Sequence, residues 1–407
     1  MKFRQIYRAT AVITVFGIAG YLFAPFYVFL AEDNPALLPF GWKTIPANAP
    51  YAEGPVAAQY LEKADELHKL LVAHHAQIGV PAFSAAVTVE GELVWSAAVG
   101  WADLKSLRPA TPQTLFRIGS TSKAVTGTLF ARLLDVGEVE LDVPIKEYSR
   151  TLPNSAWGKL TLRQLASHTA GIPSYEKNRD YLGAYQSLYP TEHHSNVREG
   201  LEYFDGSPLI FEPGTDFEYS SYDTVLQSFV LQEAVSKSYQ ALLQEWIAEP
   251  LDIQSPRPDM HTPDRAEFYL LKDGEAHTFF DVDVSHRMAG GGLMARPSDM
   301  AVLGGAWLDE SFISAKTRER FWEPQRLKDG SVNEQNYAVN WRAHERISRD
   351  MDGFNVNHGG VGKGAMSWLI IIPEKKMAIS LMINGRVWPF RKWSKVQDDL
   401  VRIFSRD

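Results

Sequence analysis

Ser120 and Lys123 stand three residues apart in the run Phe116-Arg117-Ile118-Gly119-Ser120-Thr121-Ser122-Lys123. Directly behind it, Val125, Leu129, Leu133 and Leu134 recur near helical spacing. The pattern predicts a helix that starts at the serine, and residues three apart on a helix share a face, so the lysine amine can reach the serine hydroxyl. A serine hydroxyl is a poor nucleophile at neutral pH and needs a neighbour to take its proton. A lysine can do so once burial and nearby positive charge lower its pKa. The helix N-terminus adds partial positive charge where an anion would develop. This is the chemistry of acyl transfer through a covalent serine intermediate. A second Ser-x-x-Lys pair, Ser174 and Lys177, follows Gly171-Ile172-Pro173 with no apolar helical periodicity behind it, and reads as incidental.

The remaining chemistry-bearing residues narrow the field. The chain has no cysteine, which removes disulfides, thiolate metal sites and cysteine nucleophiles together. His74-His75 and His193-His194 are adjacent pairs without the i, i+4 spacing around a glutamate that marks a metalloprotease, so no metal is expected. His168 reads as a hydrogen-bonding structural residue. No Gly-x-Ser-x-Gly elbow, phosphate loop or dinucleotide fingerprint occurs, and no cofactor is implied. A formal net charge of -8 argues against a nucleic-acid surface, which depends on clustered Lys and Arg.

The elements that must position the pair are legible at both ends of the body. Ala82 to Val89 and Leu93 to Val99 form strand-like runs around a Glu90-Gly91 turn, and Met366 to Ile372 and Met377 to Ile383 form a second pair. Helices are predicted over Val56 to Gln77, Ser122 to Asp135, Leu162 to Ser167, Ser221 to Ser236, Tyr239 to Ile247 and Pro389 to Phe404. The assembly expected is an α/β (α+β) fold: an antiparallel sheet built from both termini, flanked by helices, with a mostly helical second lobe. The domain at 56–407 divides into an α/β lobe from 56–110 and about 285–407, and a helical lobe over about 111–284. A ligand would sit in the cleft between them. Trp101 and Trp368 are possible pocket walls, with core packing as the alternative.

Residues 1–31 differ from the rest. Ala9 to Ala31 carries no charge and is long enough for a bilayer, with Lys2, Arg4 and Arg8 before it and Glu32 and Asp33 after it. It reads as a membrane anchor, or alternatively a signal sequence, that leaves the catalytic body outside the cytoplasm, on the periplasmic side if the source is bacterial. Residues 32–55, with Pro35, Pro39, Pro46, Pro50 and Pro55, are expected to be a spacer.

Further motifs follow the serine in order: Leu165-Ala166-Ser167-His168-Thr169-Ala170-Gly171-Ile172, Pro213-Gly214 leading to Tyr219-Ser220-Ser221, Ala289-Gly290-Gly291-Gly292-Leu293 with Asp299, and His358-Gly359-Gly360 with Gly364. Taken with the Ser120 motif, they make the chain resemble the serine beta-lactamase-related group, which includes penicillin-binding proteins, class C beta-lactamases and esterases of the same fold. Within it they look most like the mitochondrial serine beta-lactamase-like protein and its bacterial relatives. The resemblance implies the beta-lactamase/transpeptidase-like fold, Ser120 as nucleophile, Lys123 as base and Tyr219 in the proton shuttle. It implies an oxyanion hole from the backbone N-H groups of Ser120 and Val361, and substrate binding by Ser221, His358, Gly359 and Gly360. The chain departs from the pattern where His358-Gly359-Gly360 replaces Lys-Thr-Gly and Ser221 replaces an asparagine, which removes groups that hold penicillin carboxylates. The expectation is a serine hydrolase of ester or amide bonds on a small-molecule or peptide substrate. The alternative is a catalytically weak or inactive envelope scaffold, or a self-assembling structural protein, of the same fold.

Overall fold

A computed structural model describes the backbone of residues 2–406; the side chains of residues 1–16 and Ile18 lie outside the described part. The main sheet comprises Tyr51–Glu53 (β1), Ala82–Val89 (β2), Glu92–Asp103 (β3), Arg342–Ser348 (β4), Met351–Gly362 (β5), Ala365–Ile372 (β6) and Met377–Ile383 (β7), in the order β4-β5-β6-β7-β2-β3-β1. All neighbours are antiparallel, and the two-residue piece Arg108–Pro109 pairs with β3 as the eighth strand. Glu90 and Gly91 both take positive φ, 52° and 85°, the geometry that closes a tight hairpin between right-twisted strands. The N- and C-terminal pairs join at the centre through β7 and β2, with Ile379 opposite Val87. The sheet is therefore built from both termini.

The described helices that matter here are Lys2–Asp33 (α1), Ala64–Ile78 (α2), Ser122–Asp135 (α3), Tyr181–Leu188 (α4), Ser221–Val235 (α5), Pro297–Ala306 (α6) and Val396–Phe404 (α7). On one face of the sheet, Leu67 and Leu71 of α2 and Leu400 and Phe404 of α7 pack on Phe83, Val87, Ile379 and Leu381. The opposite face of β2 carries the small residues Ser84, Ala86 and Thr88, and α6 comes close there: the Thr88 hydroxyl donates to the Ala301 carbonyl at 3.2 Å. This alternation is what a strand covered on both faces requires. Helices α3 and α5 lie within the other lobe, in a core shared with Leu129, Leu133, Leu226 and Phe229. α5 is capped by the Ser220 hydroxyl, which accepts from the Tyr222 N-H at 3.1 Å. The fold is thus a mixed α/β one, with an antiparallel sheet between helices and a helix-rich lobe beside it.

Several boundaries move. The helix expected from Val56 starts as a 3-10 segment, Ala58–Lys63, and becomes α-helical at Ala64. Tyr239–Leu243 is α-helical, but Gln244–Ala248 continues as a π turn. Residues 32–55 are not a free spacer: Glu32 and Asp33 end α1, and Tyr51–Glu53 adds to β3 at the sheet edge. Pro50 and Pro55 flank that strand, where missing N-H groups cost no ladder bond. The strand β4 and most of β5 went unread in the sequence. The anchor segment is helical through α1, but most of its first half lies outside the described side chains, and among the described residues no helix is long and apolar enough to cross a membrane.

Candidate active site

The turn that carries Ser120 is held in place by backbone contact. Gly119 has φ 48°, and a Cβ there would sit 2.7 Å from the Val361 carbonyl carbon. A Cβ on Gly360 would lie 1.9 Å from the Ile118 carbonyl oxygen. The 119–121 turn therefore presses directly on β5, and only glycine fits at both positions. Hydroxyl contacts complete the seam: Ser367 donates to the Ile118 carbonyl at 2.6 Å, Thr121 and Ser367 are 2.7 Å apart, and Thr121 donates to the His358 carbonyl at 3.1 Å. The β4 ladder ends at Arg342 opposite Asn357, so the β5 backbone from His358 onward has no strand on that side. It is this stretch of β5 that meets the turn, bringing Val361 beside Ser120.

Lys123 leaves the first turn of α3 and is fully buried. Its ammonium donates to Ser120 Oγ at 3.3 Å, to Ser221 Oγ at 2.9 Å and to the Gly290 carbonyl at 2.6 Å. All three of its donor positions are used. Tyr219 enters from the segment before α5, with its ring centroid 4.8 Å from the Lys123 nitrogen and 5.1 Å from the Arg342 guanidinium. Burial pushes the phenol pKa up, but Lys123, Arg342 and the polar contacts with Ser120 and Lys123 more than offset this, so the net direction is down. The structure therefore brings Ser120, Lys123 and Tyr219 together.

Other residues take different places from those expected. Ser221 faces Lys123 as a hydrogen-bond acceptor, so it positions the lysine side chain. His358 is a correction: its ring is fully buried, with Nε2 2.9 Å from the Tyr337 hydroxyl and Nδ1 2.8 Å from the Gly359 carbonyl, and it has no free edge for substrate. Burial drives its pKa well down, so it is not the cation that the lysine of the usual motif would be. Gly360 is likewise a packing residue. A Cβ on Gly359 would meet the Phe390 ring at 3.2 Å, on the side of Trp368 and away from the nucleophile turn. Val361 is 38% exposed and lines the cleft with Tyr219. Trp101 and Trp368 lie outside that cavity.

His168 lies behind the phenol, its ring centroid 4.5 Å from that of Tyr219 and 4.6 Å from that of Tyr337, with Nδ1 2.8 Å from Asp223. Burial lowers the His168 pKa and raises that of Asp223, each well away from its ordinary value, which disfavours charge on both. Asp299 accepts from the Ser255 N-H and hydroxyl at 3.0 and 2.6 Å, a structural role. Ser174 lines the cleft, but Lys177 pairs with Glu218 and does not serve it. The paired histidines are occupied too: His74 with Asp399, His75 with the Pro81 carbonyl, His193 with Asp283 and His194 with Tyr203. Among the described residues, no group of three metal-binding side chains converges.

The beta-lactamase family model matches residues 67–400. The chain belongs to the beta-lactamase family. The human mitochondrial serine beta-lactamase-like protein LACTB is 26% identical over 398 residues, covering 77% of this chain and 72% of that one. The D-aminopeptidase of Gluconobacter oxydans (strain 621H) is 27% identical over 315 residues, 75% of this chain and 56% of the relative. Among solved structures, EstCE1, a hydrolase with promiscuous acyltransferase activity, superposes with a TM-score of 0.71 at 16% identity, covering 84% of this chain and 99% of that one. Membership supports hydrolysis of ester or amide bonds as a class, and the likeness to EstCE1 is one of fold.

Within this family frame, three contributors were missed from sequence. Tyr175 is half-buried beside Ser221, with its hydroxyl 3.3 Å from an Arg287 nitrogen; desolvation raises its pKa, and Arg287, Ser221 and Lys123 more than offset that. Arg342 reaches Tyr219 from β4, and the Gly290 carbonyl orients the Lys123 ammonium. Gly290 lies inside the Ala289–Leu293 motif without a role assigned to it, and Tyr175 lies three residues beyond the Leu165–Ile172 motif, but nothing local marks Arg342, because its strand carries no apolar run.

Proposed function

We propose that this chain is a serine hydrolase that cleaves an ester or amide bond through an acyl-enzyme at Ser120. Lys123 and Tyr219 together take the Ser120 proton as the new bond to the substrate carbonyl forms, and pass it to the departing alkoxide or amine as the old bond breaks. Water then attacks the ester, and the same two groups return the proton to Ser120 and release a carboxylic acid. The Ser120 and Val361 backbone N-H groups serve the oxyanion. The observation that carries this reading is the placement of a buried lysine 3.3 Å from Ser120 Oγ beside a phenol whose pKa is drawn down.

His358, buried and with its charged form disfavoured, offers no carboxylate clamp at that position, which favours ester and peptide chemistry over dedicated penicillin hydrolysis. The uncharged run from Ala9 to Ala31, with basic residues ahead of it, supports tethering of the body to a membrane with the cleft outside the cytoplasm.

A fluorophosphonate probe is expected to label the wild-type protein and to leave Ser120→Ala unlabelled. Lys123→Ala is expected to lose roughly a thousandfold or more in kcat/KM on p-nitrophenyl butyrate. Labelling that survives in Ser120→Ala places the nucleophile elsewhere, and a wild-type protein inert to probe and ester alike points instead to a scaffold.

A further inference from the structure

The cavity that reaches Tyr219 and Val361 measures about 740 Å³, within the usual range for a small-molecule site. Its outer part is closed on one side by α1, an element that precedes both lobes. It runs between α1 and α4, walled by Phe26 and Phe29 on one side and by Tyr181, Ala184, Tyr185 and Leu188 on the other. The two helices are tied together: the Tyr185 hydroxyl donates to the Leu22 carbonyl at 3.1 Å, and the Phe26 and Tyr185 rings lie 5.7 Å apart. α1 is also fixed to the catalytic strand. Glu32 at its end is buried and pairs with Lys363, two residues beyond Val361, and with Arg386 at 3.6 Å. Phe26 and Glu32 are separated by about 9 Å along the helix axis, so the apolar wall leads inward to the charged rim beside Val361.

The outer faces of both helices are apolar as well: Tyr181 and Leu182 are 81% and 68% exposed, and Tyr21 and Phe23 are 79% and 68% exposed. These outer faces suit the membrane tether proposed above, and inside the groove the apolar wall of Phe26, Phe29, Ala184 and Leu188 is surface that an apolar ligand would cover. A polar peptide would find its partners at the charged inner rim and none along the apolar wall of Phe26, Phe29, Ala184 and Leu188. An alkyl chain would gain along its whole length.

We propose that the substrate is a long-chain acyl ester or amide, with its carbonyl at Ser120 and its hydrocarbon chain lying in the groove between α1 and α4. This rests on the serine hydrolase reading above and names the substrate class for the same site. The acyl-enzyme then carries the chain in the groove while the head group departs, and hydrolysis releases a fatty acid.

The test is a length series on the full chain: p-nitrophenyl butyrate, octanoate and dodecanoate, each kept below its aggregation threshold. Wild-type kcat/KM is expected to rise roughly tenfold or more from butyrate to dodecanoate, since each buried methylene adds to binding. Ala184→Trp, which fills the groove from α4, and Phe29→Asp, which charges it from α1, are each expected to lower the dodecanoate-to-butyrate ratio by about tenfold. The rate of fluorophosphonate labelling at Ser120 in each variant reports that the catalytic groups are intact. A wild-type series that is flat or falls with length overturns the proposal without any variant, as does a ratio that neither variant moves. Failure of Ser120 to label at all sinks the hydrolase reading; labelling without length selectivity sinks this inference alone.

Discussion

Tyr219 shows how a residue's function is set by its neighbours. Burial alone would hold its phenol protonated, yet two cations, Lys123 and Arg342, face the ring and draw the pKa below its ordinary value. His168 and Asp223 are packed close by, and burial disfavours the charged form of both, so neither cancels that field. In the proposed mechanism the shuttle beside Ser120 must give up a proton before it can accept one, so kcat/KM is expected to climb with pH through an apparent pKa drawn down with the phenol. Removing one cation raises that value. Arg342→Gln is therefore expected to move the ascending limb of the pH profile up by about half a unit to one unit. A limb that stays where it is in that variant argues that Arg342 does not tune the phenol.

Among the elements, the contact between the 119–121 turn and β5 is the one on which the proposed oxyanion geometry depends. Gly360→Ala places a carbon against the Ile118 carbonyl, and neither backbone can yield without opening the seam. The expected cost is about 1–3 kcal/mol in denaturant unfolding, the usual range for overpacking. A larger proportional loss is expected in kcat than in the short-ester KM, because the displaced N-H groups act on the transition state. Unchanged stability would show that the strand and turn can separate freely. The same element explains an uneven reading of the sequence. The hairpins β2–β3 and β6–β7 were visible because their apolar runs are covered on both faces, whereas β4 is a half-exposed edge strand of alternating charge and β5 is interrupted by glycines that serve the seam.

Across the whole molecule, three histidines, His168, His286 and His358, are fully buried with pKa values pushed well down by desolvation. In the unfolded chain each titrates near about 6.5. The unfolded state thus binds more protons once the pH falls below that value, so the stability these residues allow is complete above it and is lost as the pH drops further. Asp223, whose pKa burial raises, acts in the opposite sense, as do Asp205 and Asp299. The thermal midpoint is expected to be several degrees lower at pH 5 than at pH 7.5. Replacing His286 with Gln should flatten this slope, and a midpoint indifferent to pH over that range would mean that the three rings become solvated before unfolding.

What could be read without coordinates was whatever depends on near neighbours in the chain. Ser120 and Lys123 share a helix face through a three-residue offset, and the alternation and turn chemistry of the two hairpins specify strands before any partner is known. The wider set of motifs extended this to Tyr219 and Val361 only through a family resemblance, since no local rule links positions about a hundred and more than two hundred residues from the serine. Folding settled the rest. Strand register turned His358 inward to Tyr337 and left Val361 at the cleft, a choice that shifting by a single residue would reverse. Packing also brought Tyr175, Arg342 and the Gly290 carbonyl around the lysine and phenol, and laid the end of α1 along the cavity. Such placements follow from side-chain volume and burial summed over the core, and no spacing along the chain encodes them.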